Sequence, residues 1–272
     1  MKYGFYTPNF DFCGDARVLA ELAYEAEAAG WDGFFIWDHL QFTEPVADAW
    51  VALTAMALRT QRIHIGPLVT PVPRRHIAKL AREVITLDHL SGGRLILGVG
   101  AGFPALPDYA AFGDETDPKI RAAKLDEALQ VLMDLWSGKP VNHRGAHYQV
   151  ECNAFQQPLQ KPRVPIWVAA SWPSKKPLQR AARWDGVLPV NAAGLEVEPK
   201  DLQDIRAYVE QRRSANDKFD IIKFGKTTDP SDKAGVAACA EAGATWWIES
   251  IYTRGSSLAA TRARLHQGPP RL

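Results

Sequence analysis

Short apolar segments alternate with longer amphipathic segments along the whole chain, and this alternation constrains the fold more than any other feature. Eight such pairs follow one another in 272 residues. Strands that alternate with helices predict a parallel sheet with the helices outside, and eight units match a closed (β/α)8 barrel, which typically needs about 250 residues. We therefore predict an α/β fold, a (β/α)8 TIM barrel that forms a single domain over residues 1–272.

The predicted elements leave two segments outside the simple cycle. Strands are expected at 3–7, 33–37, 62–66, within 92–102, and at 166–170, 186–190, 219–224 and 245–249; helices are expected at 16–29, 47–58, 77–90, 121–136, 176–183, 200–213, 231–242 and 257–266. One insertion, 103–119, follows the fourth strand. The other, 138–163, precedes the fifth strand and contains a hairpin pattern at 141–148. Because loops after the strands build the active site of a barrel, 103–119 is the candidate lid.

The fourth predicted strand ends in a glycine run. Gly98, Gly100 and Gly102 remove every second side chain after an apolar stretch. Bare backbone at a strand tip lets a flat or anionic ligand approach closely. A tight turn or close packing between strands explains the same glycines, and the run alone favours neither reading.

Composition and charge narrow the classes of partner. The net charge of +1 offers no electrostatic basis for binding nucleic acid or a membrane surface, and no apolar run approaches the roughly 20 residues that span a bilayer. Cys13, Cys152 and Cys239 match neither a metal spacing nor a disulfide framework. We expect a cytoplasmic protein with a small-molecule substrate and no metal.

Two polar groups follow predicted strands. Asp38 and His39 end the second strand, where barrel enzymes carry catalytic residues, and histidine exchanges protons near neutral pH. A structural hydrogen-bonded pair is the alternative. Residues 74–76 (Arg-Arg-His) follow the third strand; they suit an anionic ligand, although a solvated turn is favoured.

Several other chemistries lack their motifs. A dinucleotide fingerprint would need glycine at position 103, where the chain has Phe103. Neither the phosphate-binding loop of nucleotide hydrolases nor a G-x-S-x-G nucleophile elbow occurs. The tip of the first strand also lacks the paired histidines of metal-dependent hydrolase barrels.

The chain resembles the bacterial luciferase-like flavin-dependent oxidoreductases. The matching stretches, in the order of that family, are 27–33, 37–39, 62–66, 87–94, 98–102, 111–113, 135–138 and 165–169. The resemblance implies a (β/α)8 barrel that holds reduced FMN or the 8-hydroxy-5-deazaflavin coenzyme F420, with the choice open. It implies monooxygenation or hydride transfer on a small organic substrate. A separate flavin reductase and a homodimer are further expected partners.

The resemblance also assigns roles to residues. We expect the ring to lie over Gly100, Ala101 and Gly102, against Val69 and Thr70 of the third strand, and His39 with Asp38 to serve proton transfer. A non-prolyl cis peptide is expected at Leu68–Val69, to within one residue, although Pro67 departs from the family pattern. The phosphate would suit the loop that opens the fifth helix, formed by Ala170, Ser171, Trp172, Ser174 and Lys175. A plain helix cap with solvated lysines is the alternative reading of that loop.

Two other functions stay open from the sequence. One is a barrel isomerase or lyase that uses the Ser171 loop to bind a phosphorylated substrate. The other is a non-catalytic flavin-binding protein.

Overall fold

Parallel strands close into a barrel that helices surround. The computed structural model describes residues 1–42, 44–103, 108–191, 196–214, 218–250, 252 and 256–272. The strands are β1 (Lys2–Thr7), β2 (Gly33–Ile36), β3 (His64–Pro67), β4 (Thr70–Pro71), β5 (Leu97–Gly100), β6 (Val141–Arg144), β7 (Gln149–Cys152), β8 (Ile166–Trp172), β9 (Gly186–Asn191), β10 (Asp220–Gly225) and β11 (Trp246–Ser250). The helices are α1 (Ala16–Ala28), α2 (Ala49–Arg59), α3 (Ile77–Leu90), α4 (Pro118–Trp136), α5 (Lys175–Ala181), α6 (Pro199–Glu210), α7 (Ala234–Glu241) and α8 (Leu258–His266).

The sheet order places every strand beside the neighbours that a (β/α)8 barrel requires. The order is β3-β2-β1-β11-β10-β9-β8-β5-β4, with all neighbouring pairs parallel. The third barrel strand is divided into β3 and β4. The backbone of Ile65 bonds to Arg94 and Ile96, at 3.1 and 2.9 Å, which joins β3 to the chain just before β5. The predicted TIM barrel is therefore confirmed.

Large apolar side chains fill the barrel interior. They come from alternate positions of the strands, because successive side chains on a strand point to opposite faces. The buried members are Phe35, Leu68, Ile96, Trp167, Leu188, Ile222, Trp246 and Ile248. A second, larger apolar layer separates the strands from the helices. The interior is thus a packed core, and ligand space is left at the rim.

The two insertions differ in position. The segment between β5 and α4 contains a short 3-10 helix, Ala110–Phe112, while residues 104–107 of this lid candidate lie outside the described residues. The predicted hairpin is confirmed as β6 and β7, which pair antiparallel. The carboxylate of Glu127 on α4 accepts hydrogen bonds from the backbone of His147 and Tyr148, so the hairpin is bound to the outer helix layer.

Some predicted boundaries were wrong, and tertiary contacts explain one of them. Strand β3 begins at His64 rather than at residue 62, because the backbone of residues 61–63 donates to the carboxylate of Glu27 instead of to a strand. The predicted helix 200–213 ends at Glu210. The peptide between Leu68 and Val69 is cis, as predicted. Within the described ranges, no helix combines the length and apolar character needed to cross a membrane.

Candidate active site

A cavity of about 490 Å³ lies at the carboxyl-terminal ends of the barrel strands. This is the end at which barrel enzymes build their active sites. Its lining comes from the loops and tips of seven barrel strands and from the lid candidate: Tyr6, Trp37, Asp38, His39, Phe42, Leu68, Val69, Pro71, Gly102, Phe103, Asp108, Tyr109, Ala169, Leu188, Val190 and Phe224.

The floor and one wall of the cavity are apolar. Leu68, Val69, Ala169 and Leu188 belong to or pack against the barrel core and form the floor. Aromatic rings form the wall: the centroid of Tyr6 lies 5.9 Å from that of Trp37 and 4.8 Å from that of Phe224. An apolar slot of this kind is what a flat ring system requires.

The Tyr6 hydroxyl is a structural group. It donates to the carbonyl of Leu68 at 2.8 Å. Burial raises the pKa of Tyr6 well above its ordinary value, so the phenol stays protonated at neutral pH. Burial likewise raises the pKa of Tyr109 to about 12, and its hydroxyl donates to the carbonyl of Ala101 at 2.9 Å. Neither phenol is suited to exchange protons with a substrate near neutral pH.

His39 is held by a carboxylate from the lid candidate. Its Nδ1 lies 2.6 Å from Oδ2 of Asp108, whose side chain is 5% exposed. When the imidazole is neutral, Nδ1–H donates to this carboxylate and Nε2 carries the lone pair. Nε2 makes no hydrogen bond to any side chain or backbone group in the described part of the chain. The pair therefore presents a proton acceptor at the cavity wall.

A buried ionic network supports the pair. Arg74 bridges the two aspartates, with Nη1 3.0 Å from Asp108 Oδ2 and Nη2 3.1 Å from Asp38 Oδ1. Arg75 donates to Asp38 Oδ1, and the Thr70 hydroxyl donates to Asp38 Oδ2 at 2.8 Å. The prediction of a solvated turn at residues 74–76 was wrong for Arg74. Its side chain is 2% exposed, because its guanidinium forms ion pairs with two buried carboxylates.

Some of the site residues predicted at the strand tips line the cavity, and others lie behind its lining. Asp38, His39, Val69 and Gly102 line it, whereas Thr70 lies behind it on Asp38. Gly100 and Ala101 are not in the lining. A Cβ on Gly100 would lie 2.9 Å from Val69 Cγ2 and 3.5 Å from Ala169 Cβ, so this glycine supports two floor residues from below.

The predicted phosphate loop lies outside the cavity lining. Ala170 is buried in the outer core, and the indole N–H of Trp172 donates to Asp201 at 2.8 Å. Lys175 Nζ lies 4.9 Å from the Trp172 ring, and Ser174 precedes α5 without a side-chain cap bond. Exposed Ser171 shares a face of β8 with Ala169, which places it above the cavity floor. Phosphate binding by this loop stays a prediction.

Sequence reasoning missed the partner of His39. Asp108 stands inside the segment that was predicted as a lid, and a carboxylate there is the signal that could have identified it. Tyr6, Phe42 and Phe224 were also missed, because aromatic residues in a barrel are more often core than ligand wall.

Known proteins resemble this chain over nearly its whole length. A family model for luciferase-like monooxygenases matches residues 1–261. An F420-dependent glucose-6-phosphate dehydrogenase of Gordonia bronchialis is 35% identical over 182 residues, which are 64% of this chain and 52% of that protein. The chain therefore spans about half the length of the curated F420-dependent relatives that it matches.

Two solved structures share the fold. Monooxygenase RslO1 of Streptomyces bottropensis superposes with a TM-score of 0.79 at 18% identity, over 98% of this chain and 97% of that one. An F420-dependent secondary alcohol dehydrogenase gives 0.79 at 18% identity, over 99% and 98%. The equal scores show the fold and do not separate the two activities. With its barrel and the family model that matches residues 1–261, this chain belongs to the luciferase-like monooxygenase family.

Proposed function

We propose that this protein is an oxidoreductase that exchanges a hydride between a small alcohol or carbonyl compound and the deazaflavin coenzyme F420. The observation that carries the proposal is the His39–Asp108 pair at the wall of the cavity. Removal of a hydride from an alcohol carbon requires a group that takes the hydroxyl proton, and neutral imidazole suits that role. The F420-dependent relatives at 35% identity support the same cofactor.

The residues divide the chemistry between them. The deazaflavin, when bound, supplies the ring carbon that accepts or returns the hydride. His39 takes the hydroxyl proton at Nε2 as the C–H electron pair leaves, and in the reverse direction it returns that proton to the carbonyl oxygen. Asp108 stabilises the imidazolium that forms, and Arg74 keeps Asp108 in place. Asp38 is a positioning residue in this scheme, since its oxygens accept from Arg74, Arg75 and Thr70.

The cavity floor fits the ring of either FMN or the deazaflavin. We place the ring over Val69 and Gly102, with Thr70, Gly100 and Ala101 directly behind. The tail would extend over the rim toward Ser171, Ser174 and Lys175, with Ala170 and Trp172 fixing that loop. A homodimer, a separate flavin reductase and a cytoplasmic location stay predictions from the family resemblance.

A titration with both cofactors tests the proposal. The protein should bind F420 more tightly than FMN, as followed by quenching of tryptophan fluorescence. His39→Ala should lower turnover by about a hundredfold or more and change the cofactor Kd less than about threefold. Tight binding of FMN with none of F420 would instead favour a monooxygenase. Binding of neither cofactor would refute the proposed function, and a fully active His39→Ala variant would remove the proton-transfer role.

A further inference from the structure

We propose that the substrate is an uncharged, mainly apolar alcohol or ketone with a single oxygen function, and that sugars and sugar phosphates are excluded. The inference rests on the proposed function for the reaction itself. It names the substrate class from the surfaces that a substrate would touch beside His39.

The aromatic wall supplies the shape of the site. The Phe42 ring centroid lies 6.2 Å from that of His39 and 3.9 Å from that of Phe10, so the surface beside the imidazole is built from stacked rings. Trp37 closes the same corner, 5.5 Å from His39. Contact with such a surface stabilises the C–H groups of a ligand by removing them from water. The aromatic faces offer no hydrogen bond to compensate a hydroxyl group for its lost hydration.

Hydrogen-bonding capacity at the cavity is nearly used up. The carboxylates of Asp38 and Asp108 accept from Arg74, Arg75, Thr70 and His39. The phenols of the lining donate to backbone carbonyls. Among the described side chains of the lining, His39 Nε2 and the indole N–H of Trp37 are the polar groups left to meet a ligand. One acceptor and one donor at the same corner can satisfy a single substrate oxygen, whereas the further hydroxyls of a sugar would be buried without partners.

The charge around the cavity also argues against an anion. No lysine or arginine is among the lining residues that the structure describes. Behind the wall, the two aspartates balance Arg74 and Arg75, so the network has no net charge while His39 is neutral. A phosphate or carboxylate in the cavity would lose its hydration without gaining a counter-charge.

A neighbouring pocket contains lysines, which are the kind of side chain that an anionic substrate would need. Lys223 and Lys226 line a space of about 350 Å³ that shares Val190 and Phe224 with the cavity. Lys223 stands between Ile222 and Phe224, which face the barrel interior, so its side chain lies on the outer face of β10. The Lys223 ammonium is therefore directed away from the cavity, and Lys226, which follows β10, lines the neighbouring pocket but not the cavity. We assign neither lysine to the substrate beside His39.

A binding experiment tests the substrate class without any turnover. Saturation-transfer NMR on the full chain would compare cyclohexanone with glucose 6-phosphate, each as the sole ligand. We expect saturation of cyclohexanone and none of glucose 6-phosphate. Phe224→Asn, which puts an amide into the aromatic wall, should weaken cyclohexanone binding about tenfold. The control Leu58→Asn, at a 65% exposed position on α2, should leave that binding unchanged.

A turnover experiment tests the same class with F420 bound. Cyclohexanol and 1-phenylethanol should reduce F420 with kcat/KM at least a hundredfold above that of glucose or glucose 6-phosphate. Equal or better use of glucose 6-phosphate would overturn the substrate class and leave the hydride-transfer function intact. If cyclohexanone binds but no alcohol reduces F420, the substrate class stands and the proposed function fails. If neither experiment detects the apolar compounds, the inference is wrong.

Discussion

At the residue scale, the orientation of His39 depends on a carboxylate 69 positions away in the sequence. Asp108→Asn keeps the size of the side chain and removes its charge, so the imidazolium loses its stabilising neighbour. We expect turnover to fall about ten- to a hundredfold with the cofactor Kd nearly unchanged.

A second aspartate of the same insertion provides the control for this variant. Asp117 accepts from the backbone at the start of α4, and asparagine is an equally good helix cap. Asp117→Asn should therefore leave turnover unchanged. Native turnover in Asp108→Asn would show that Asp108 does not act through His39.

At the element scale, β5 supports the cavity floor through the space that Gly100 leaves free. In Gly100→Ala the new methyl would lie 2.9 Å from Val69 Cγ2, so Val69 must shift toward the cavity. We expect the cofactor Kd to rise about tenfold while the chain still folds. Gly235→Ala on α7 is the matched control, since its methyl meets no atom within 4 Å. Equal cofactor affinity in both variants would exclude the proposed ring position.

The helices and strands were largely predictable from the sequence, whereas the contacts between distant elements, and the boundaries that depend on those contacts, were not. Helix α3 matches its predicted bounds because its apolar spacing and its end signal are local. Strand β3 starts later than predicted, because Glu27 of another element takes the backbone bonds of residues 61–63. The same limit applies at the site. His39 was predicted from its place after β2 and lines the cavity, while the contact of Asp108 and the burial of Arg74 depend on pairing between distant segments.

At the scale of the whole molecule, the amino-terminal face of the barrel carries its own titrating group. His64 on β3 has Nε2 3.3 Å from Nζ of Lys2. Burial, and then the charge of Lys2, lowers the pKa of His64 below its ordinary value. Below about pH 6.5 the unfolded chain therefore binds more protons at this residue than the folded chain does. Stability is lost as the pH falls through that range.

Chemical denaturation at several pH values would measure this effect. Between pH 7 and pH 5 the free energy of unfolding of the native protein should fall more steeply than that of His64→Gln. Between pH 8 and pH 7 the two should change in parallel, because His64 is neutral in both states. Parallel curves over the acidic range as well would show that His64 titrates alike in the folded and unfolded chains.

The contact between Asp108 and His39 joins two segments that are far apart in the chain, the loop after β2 and the segment between β5 and α4. Arg74, which follows β4, contacts both Asp38 and Asp108 and adds a third segment to the same wall. Loops that follow barrel strands usually tolerate insertions and deletions. These three loops should not, because a change in the length of any one of them would displace the imidazole from its carboxylate.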